Sequence, residues 1–209
     1  MQWLKMINFD FIKNYKIKFL IFIVLVSSLI ALDLYTKKLA EKAFVLKNPV
    51  VPDNIDRYPE RDRWQFYYQN SRKDFIKNFW GWRYVRNYDI GFSLFNFLDN
   101  YISTNAKKTF LKILQSLVVI LALIYFISIK MKFFLPFSLI ISGGLGNALN
   151  RIINGYVIDF IEWYIPAAPR GSILNPWPYF NLADSMAVIG VFMLAAVFIS
   201  NSFEKKSNG

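Results

Sequence analysis

Four long stretches of this chain carry almost no charge: Phe19 to Leu32, Thr109 to Ile129 with Lys112 its one charge, Phe133 to Asn150, and Ser185 to Phe203. A helix crossing a bilayer needs roughly 20 mostly apolar residues. The second and fourth stretches reach that length directly and the third nearly does. The first reaches it if the helix continues through Asp33 to Thr36. With 55% hydrophobic residues in a chain of 209, the expected class is mainly α, a polytopic membrane protein with four transmembrane helices. The spans are expected over about 17–36, 109–129, 133–153 and 181–203, within a single membrane-embedded domain over 1–209. Lysines before the first stretch give it the look of a secretory signal. Leu29 and Ala31 make a poor small-x-small cleavage site, however, so the segment reads as retained.

Orientation follows from the short flanks, because Lys and Arg near span ends stay cytoplasmic. Lys5, Lys13, Lys16 and Lys18 precede the first span, Lys130 and Lys132 lie between the second and third, and Lys205 and Lys206 follow the fourth. With four spans all three flanks share one side, so both termini are expected in the cytoplasm. Segments at about 37–108 and 154–180 then lie outside it. Asp33, Arg151, Asp159 and Asp184 all fall at the outer ends of spans or in the outer connection, so the unusual polar residues converge on one level.

The chain has no cysteine and no histidine, which removes thiol nucleophiles, disulfides, Cys/His zinc sites and imidazole bases. No metal or cofactor is expected. The net charge of +11 is no argument for nucleic acid, because the aromatics lie in apolar runs and no basic recognition helix appears.

Residues 50–86 mix charges with Tyr, Trp and Phe, and Trp80 to Val85 reads as a strand or turn. A small extracytoplasmic β-like subdomain is expected there, its aromatics serving either a ligand or the membrane interface. Residues 96–107 are expected to form a short interfacial helix.

In "GGLGNALNRIINGYVIDF", Gly143, Asn147 and Arg151 recur every four residues and stack along one helix stripe. Small residues permit close helix approach and Asn bonds across helices. Arg151 is harder to explain by packing, since intramembrane charges face a cavity or a partner, here expected to be a carboxylate. Asp33 and Lys37 lie at i and i+4, an ion pair worth about 0.2–0.5 kcal/mol on an exposed helix. Asn181 and Asp184 lie at i and i+3, where the amide can orient the carboxylate. Asp184 also sits in the first turn of the last span, so a plain capping role stands beside any chemical one.

If Asp159 and Asp184 face one another in a water-poor pocket, they cannot both ionise cheaply, and one keeps a proton. Such a pair is acid and base together, sufficient for peptide hydrolysis without histidine. Two other readings use the same residues: a small proton-coupled transporter, and a structural lipid-binding membrane protein in which Asp184 caps a helix. Clustering of the charges at one level, and the lack of an inverted repeat, weigh against a transporter.

Four blocks in order, "LDLYTK", "NYDIGFSLF", "GGLGNALNRIINGYVIDF" and "FNLADS", make the chain similar to the lipoprotein signal peptidases, or signal peptidase II. Two departures stand out: Asn150 where the family commonly has Asp, and Asp89 where it has Gly. The segment 47–77 is also longer than a minimal member needs. The resemblance implies a β-like cradle on the outer side and an aspartyl endopeptidase with Asp159 and Asp184 as its dyad. It further implies that Asp33, Lys37, Asn87, Gly143, Asn147, Arg151, Val157, Phe180, Asn181 and Ala183 bind substrate or support the dyad. The implied substrate is a prolipoprotein with a diacylglyceryl-modified cysteine, cut just before that cysteine. The implied setting is the bacterial inner membrane, with a monomer contacting membrane lipid and the active site near the outer face.

Overall fold

The computed structural model describes residues 15–58, 62–69, 72–88, 101, 103–169, 172 and 177–207. Four helices, α1 (Lys16–Phe44), α2 (Thr104–Ser128), α3 (Phe134–Asn154) and α4 (Leu182–Ser207), accompany three strands, β1 (Lys73–Ile76), β2 (Trp80–Asn87) and β3 (Val157–Trp163). The interfacial helix expected over 96–107 falls mostly outside the described residues, and from Thr104 the chain is already in α2.

Among the described residues, three helices are long and apolar enough to cross a membrane: Lys16–Phe44, Ala106–Ser128 and Leu182–Asn201. The expected fourth, α3, forms as a helix of 21 residues. Its second half is diluted by Gly143, Gly144, Gly146, Asn147, Asn150 and Arg151, so it falls short of the other three in apolarity.

The chain divides into two compact units. The first holds residues up to Leu32, Ile113–Ala148 and Leu182 onward. Its core is aromatic and aliphatic: Phe22 and Val26 from α1, Val119 and Phe126 from α2, and Phe137 and Ile141 from α3. The Phe126 ring lies 5.1 Å from Phe22 and 5.2 Å from Phe137. Met131, in the turn after α2, plugs one end of this core, fully buried and at φ 54°. Lys130 and Phe133 are left-handed too, a costly arrangement for non-glycine residues, which the buried methionine and the Met131 N–H bond to Phe126 O help to hold. Pro136 sits in the first turn of α3, where a helix has no use for its missing N–H. Ser138 and Ser142 return their hydroxyls to the carbonyls of Phe134 and Ser138, so neither leaves a bare polar group in an apolar setting.

Close approach in this unit depends on small residues. A Cβ at Gly144 would collide with Val119 of α2, and one at Gly143 with the carbonyl of Ala183 at the head of α4. Farther along, a Cβ on Gly190 would come within 2.7 Å of Pro136 O. Outward, Leu20, Ile21, Val24, Ile120, Leu121, Val188 and Phe192 are exposed, an apolar exterior that suits lipid as its solvent.

The second unit comprises Asp33–Lys112 and Leu149–Asn181. At 29 residues, α1 is about 44 Å long, more than the roughly 30 Å of bilayer hydrocarbon. Its last turns place Ala40 and Phe44 against Tyr84, Ile158 and Phe160 of the sheet. The three strands are antiparallel in the order β1-β2-β3. Val85 lies opposite Asp159 and Asn87 opposite Val157, with a bulge between Trp82 and Val85. Tyr68 and Tyr84 stack at 4.1 Å beneath Arg86, and Glu41 accepts the Tyr68 hydroxyl at 2.9 Å.

Asp33 and Lys37 also belong to this unit. Their ion pair closes at 2.7 Å with both side chains fully buried, so the small value for an exposed helical pair does not apply. Removing one member of a buried pair costs about 3–5 kcal/mol, because the other charge stays out of water. Lys37→Met is therefore expected to lower the thermal midpoint of the detergent-solubilised protein sharply. Asp33→Leu combined with Lys37→Met should recover most of that loss. Gly143→Ala sets a methyl against the Ala183 carbonyl and is expected to cost about 1–3 kcal/mol, read by the same melts.

Candidate active site

The end of α3 decides where Asp159 goes. Gly155 follows the helix at φ 81° and donates its N–H to Arg151 O at 2.9 Å, a left-handed cap that stops the helix and turns the chain. Among the described residues, its chain neighbours aside, no atom lies within 4 Å of where its Cβ would stand. Glycine is wanted there for its conformation and not for space. Val157 then opens β3, buried, and the Ile158 N–H donates to Asn150 Oδ1 at 2.7 Å.

Asp159 is the third residue of β3 and is buried. Both of its oxygens accept side-chain amides: Asn87 Nδ2, at the end of β2, reaches Oδ2 at 2.7 Å, and Asn181 Nδ2 reaches Oδ1 at 2.7 Å. Asn181 can do so because the segment before α4 runs along the edge of β3 not used by β2. Phe180 bridges Ile161, exchanging backbone bonds of 2.8 and 3.2 Å, and its ring stands edge-on to Trp163 at 5.0 Å. Arg151 lies buried in the last turn of α3.

Asp184 is held in the other unit. It occupies the first turn of α4, half-buried, and Asn147 Nδ2 of α3 donates to its Oδ1 at 2.7 Å. Gly143 makes this reach possible, because α4 begins with the Ala183 carbonyl against the bare Gly143 backbone, one turn from Asn147. Ala183 is fully buried, leaving no room for a larger residue. The stripe read from the sequence is thus half a packing seam and half a donor. The i, i+3 spacing of Asn181 and Asp184 indicated neither of these bonds. Asn181 precedes the helix, its amide donates to Asp159, and Asp184 receives its amide from Asn147.

Two further features were not legible in the sequence. Asn150 marked only a departure from the family pattern, yet it caps the head of the strand that carries Asp159. Glu162 is fully buried opposite Gly81, with Arg72 at 3.4 Å, Arg83 at 3.6 Å and the Tyr164 hydroxyl donating at 3.1 Å. Arg72 reaches in over Gly81, where a Cβ would strike its guanidinium stem. Burial, followed by the Glu162 charge, pushes the Tyr179 phenol up to about 12, so it remains neutral at physiological pH. These groups tie the end of β3 to β2 and to the residue that leads into β1. Among the described residues no group of three or more carboxylates gathers to hold a metal ion.

A family profile described as signal peptidase (SPase) II matches residues 23–200. A lipoprotein signal peptidase of Xylella fastidiosa strain 9a5c is 34% identical over 131 residues, covering 61% of this chain and 71% of that protein. Another, from Xanthomonas axonopodis pv. citri strain 306, is 40% identical over 75 residues, or 36% of this chain and 40% of its own length. A bacterial membrane enzyme solved by the in meso method shares the fold, with a TM-score of 0.59 at 21% identity over 88% of this chain and 90% of that one. With membrane-capable helices, a small antiparallel sheet and a matched region covering most of its length, the chain belongs to the signal peptidase II family of membrane peptidases.

Proposed function

We propose that this protein is an intramembrane aspartic endopeptidase that removes the signal peptide from diacylglyceryl-modified prolipoproteins, cutting just before the lipidated cysteine. The observation that carries this reading is the treatment of two carboxylates far apart in sequence. Asp159 is held by Asn87 and Asn181, and Asp184 is held by Asn147. Asn181 is only three residues before Asp184. Covalent geometry keeps their Cα atoms within about 11 Å, so the chain that orients one carboxylate also begins the helix that carries the other. Family membership supports the peptidase activity and the substrate class.

In this reading the two carboxylates share one proton. The ionised member takes a proton from water as the water oxygen attacks the scissile carbonyl carbon. The protonated member donates to the carbonyl oxygen, and the tetrahedral intermediate collapses when a proton reaches the leaving nitrogen. The C–N bond breaks, giving a free signal-peptide carboxylate and a new amino terminus on the lipidated cysteine. The asparagines fix carboxylate orientation without adding charge. A diacylglyceryl anchor in the bilayer would hold the scissile bond at a constant depth, replacing bimolecular encounter with positioning.

We further propose α3 as a fourth span. Its 21 residues extend about 31 Å, its apolar half comes first, and its polar residues lie at the end that leads to β3. Both termini then face the cytoplasm and the carboxylates the outer side. The chain acts as a monomer in contact with membrane lipid.

Incubating the purified protein in lipid with a diacylglyceryl-modified precursor should release the signal peptide, visible as a mobility shift. Asp159→Asn and Asp184→Asn should each lower the rate by about a thousandfold or more while the protein still accumulates in the membrane. Normal cleavage by either variant would remove the dyad from the mechanism. Asn147→Ala and Asn181→Ala each delete a bond to a charged group, worth about 1.5–3 kcal/mol, and should slow turnover about ten- to a hundredfold. Equal losses of turnover and folded yield would instead assign those asparagines to packing.

A further inference from the structure

We infer that Asn150 is a positioning residue for Asp159, acting through the backbone of β3. The inference rests on the reading that Asp159 is catalytic. Asn150 is buried in the last turns of α3, and its Oδ1 accepts the Ile158 N–H at 2.7 Å. Alternation from Ile158 to Phe160 sends both N–H groups to one edge, and the strand becomes irregular only at Ile161, whose N–H also bonds Phe180 O. The Phe160 N–H donates to Phe180 O at 3.0 Å on the edge of β3 away from β2. At the head of that edge, the Asn150 amide oxygen takes the place of the carbonyl a neighbouring strand would have offered.

Asp159 is therefore bracketed. The N–H before it is tied to α3 and the N–H after it to the segment that ends in Asn181, while Asn87 and Asn181 hold its carboxylate. Without the Asn150 acceptor the Ile158 N–H would be buried beside the aromatic core with no partner from α3, since Ile158 packs among Tyr84, Phe160 and Phe44. A buried unsatisfied donor is costly, and the simplest relief is a shift of the strand head. Such a shift moves Asp159, which follows Ile158 directly in β3. The function of residue 150 is to supply an acceptor at a fixed place, and a neutral one suffices.

The test compares Asn150→Leu, which keeps the side-chain shape and removes the acceptor, with Asn150→Asp, which keeps the acceptor. Cleavage of a diacylglyceryl-modified precursor is followed for both, with thermal midpoint and membrane yield measured in parallel. The Leu variant should lose about ten- to a hundredfold in kcat with KM within about twofold, the signature of a misplaced catalytic group. The Asp variant should stay within about threefold of the parent chain. If the Leu variant does not accumulate, Asn150→Ser carries the test, because its oxygen is one bond too short to reach Ile158, and the same loss of kcat is expected. Parental kcat in the Leu or Ser variant, or an Asp variant as slow as the Leu variant, overturns the inference. So does a fall in kcat matched by the fall in folded yield. Asp159→Asn in the same assay separates the two levels. If it cleaves normally, the dyad reading fails. If it is inactive while Asn150→Leu turns over normally, the positioning role alone fails.

Discussion

A buried carboxylate is tolerable only if something meets it, and most of the polar architecture of this chain consists of groups that do so. Asp33 has Lys37 one turn away, Glu162 has two arginines and a tyrosine, Asp159 has two asparagines and Asp184 has one. The partners differ in kind. Where a carboxylate is paired with a full positive charge, it is neutralised and locked. Where asparagine is the partner, its amide orients the carboxylate without bringing a charge of its own. Asp159 and Asp184 are the two carboxylates proposed above as the dyad.

The fold supplies these partners by a few local devices. A left-handed glycine ends α3 and turns the chain at once into β3, which carries Asp159. The return segment then bonds along the edge of β3 and delivers Asn181 before α4 begins. Within the helical unit, bare backbone at Gly143 lets the head of α4 settle against α3, bringing Asp184 within reach of Asn147. In each case a glycine or an edge does the placing, and a short amide makes the final bond.

The sheet unit shows the same economy with aromatics. Phe44, Tyr68, Tyr84, Trp82 and Phe160 build a small core under the sheet, where a unit of this size has few aliphatic residues to bury. Arg86 threads among Tyr68, Tyr84 and Tyr156, so a cation usually found at the surface becomes part of the packing.

Much of this could be read from the residues in order. Apolar run length selects helices that lipid can accept, because backbone polar groups out of water must bond within their own segment. The scarcity of charge in those runs makes Asp159, Arg151 and Asp184 conspicuous, and removal of cysteine and histidine narrows the chemistry to carboxylates. What a linear reading could not assign was who partners whom. Spacing pointed from Asn181 to Asp184 and gave no sign of the bonds from Asn181 to Asp159 or from Asn147 to Asp184. Asn150 was visible only as an irregularity, and Glu162 not at all. Helical periodicity reports neighbours within one element. Hydrogen bonds at this site run from strand to strand, loop to strand and helix to helix, and depend on tenths of an ångström that only the packed backbone decides.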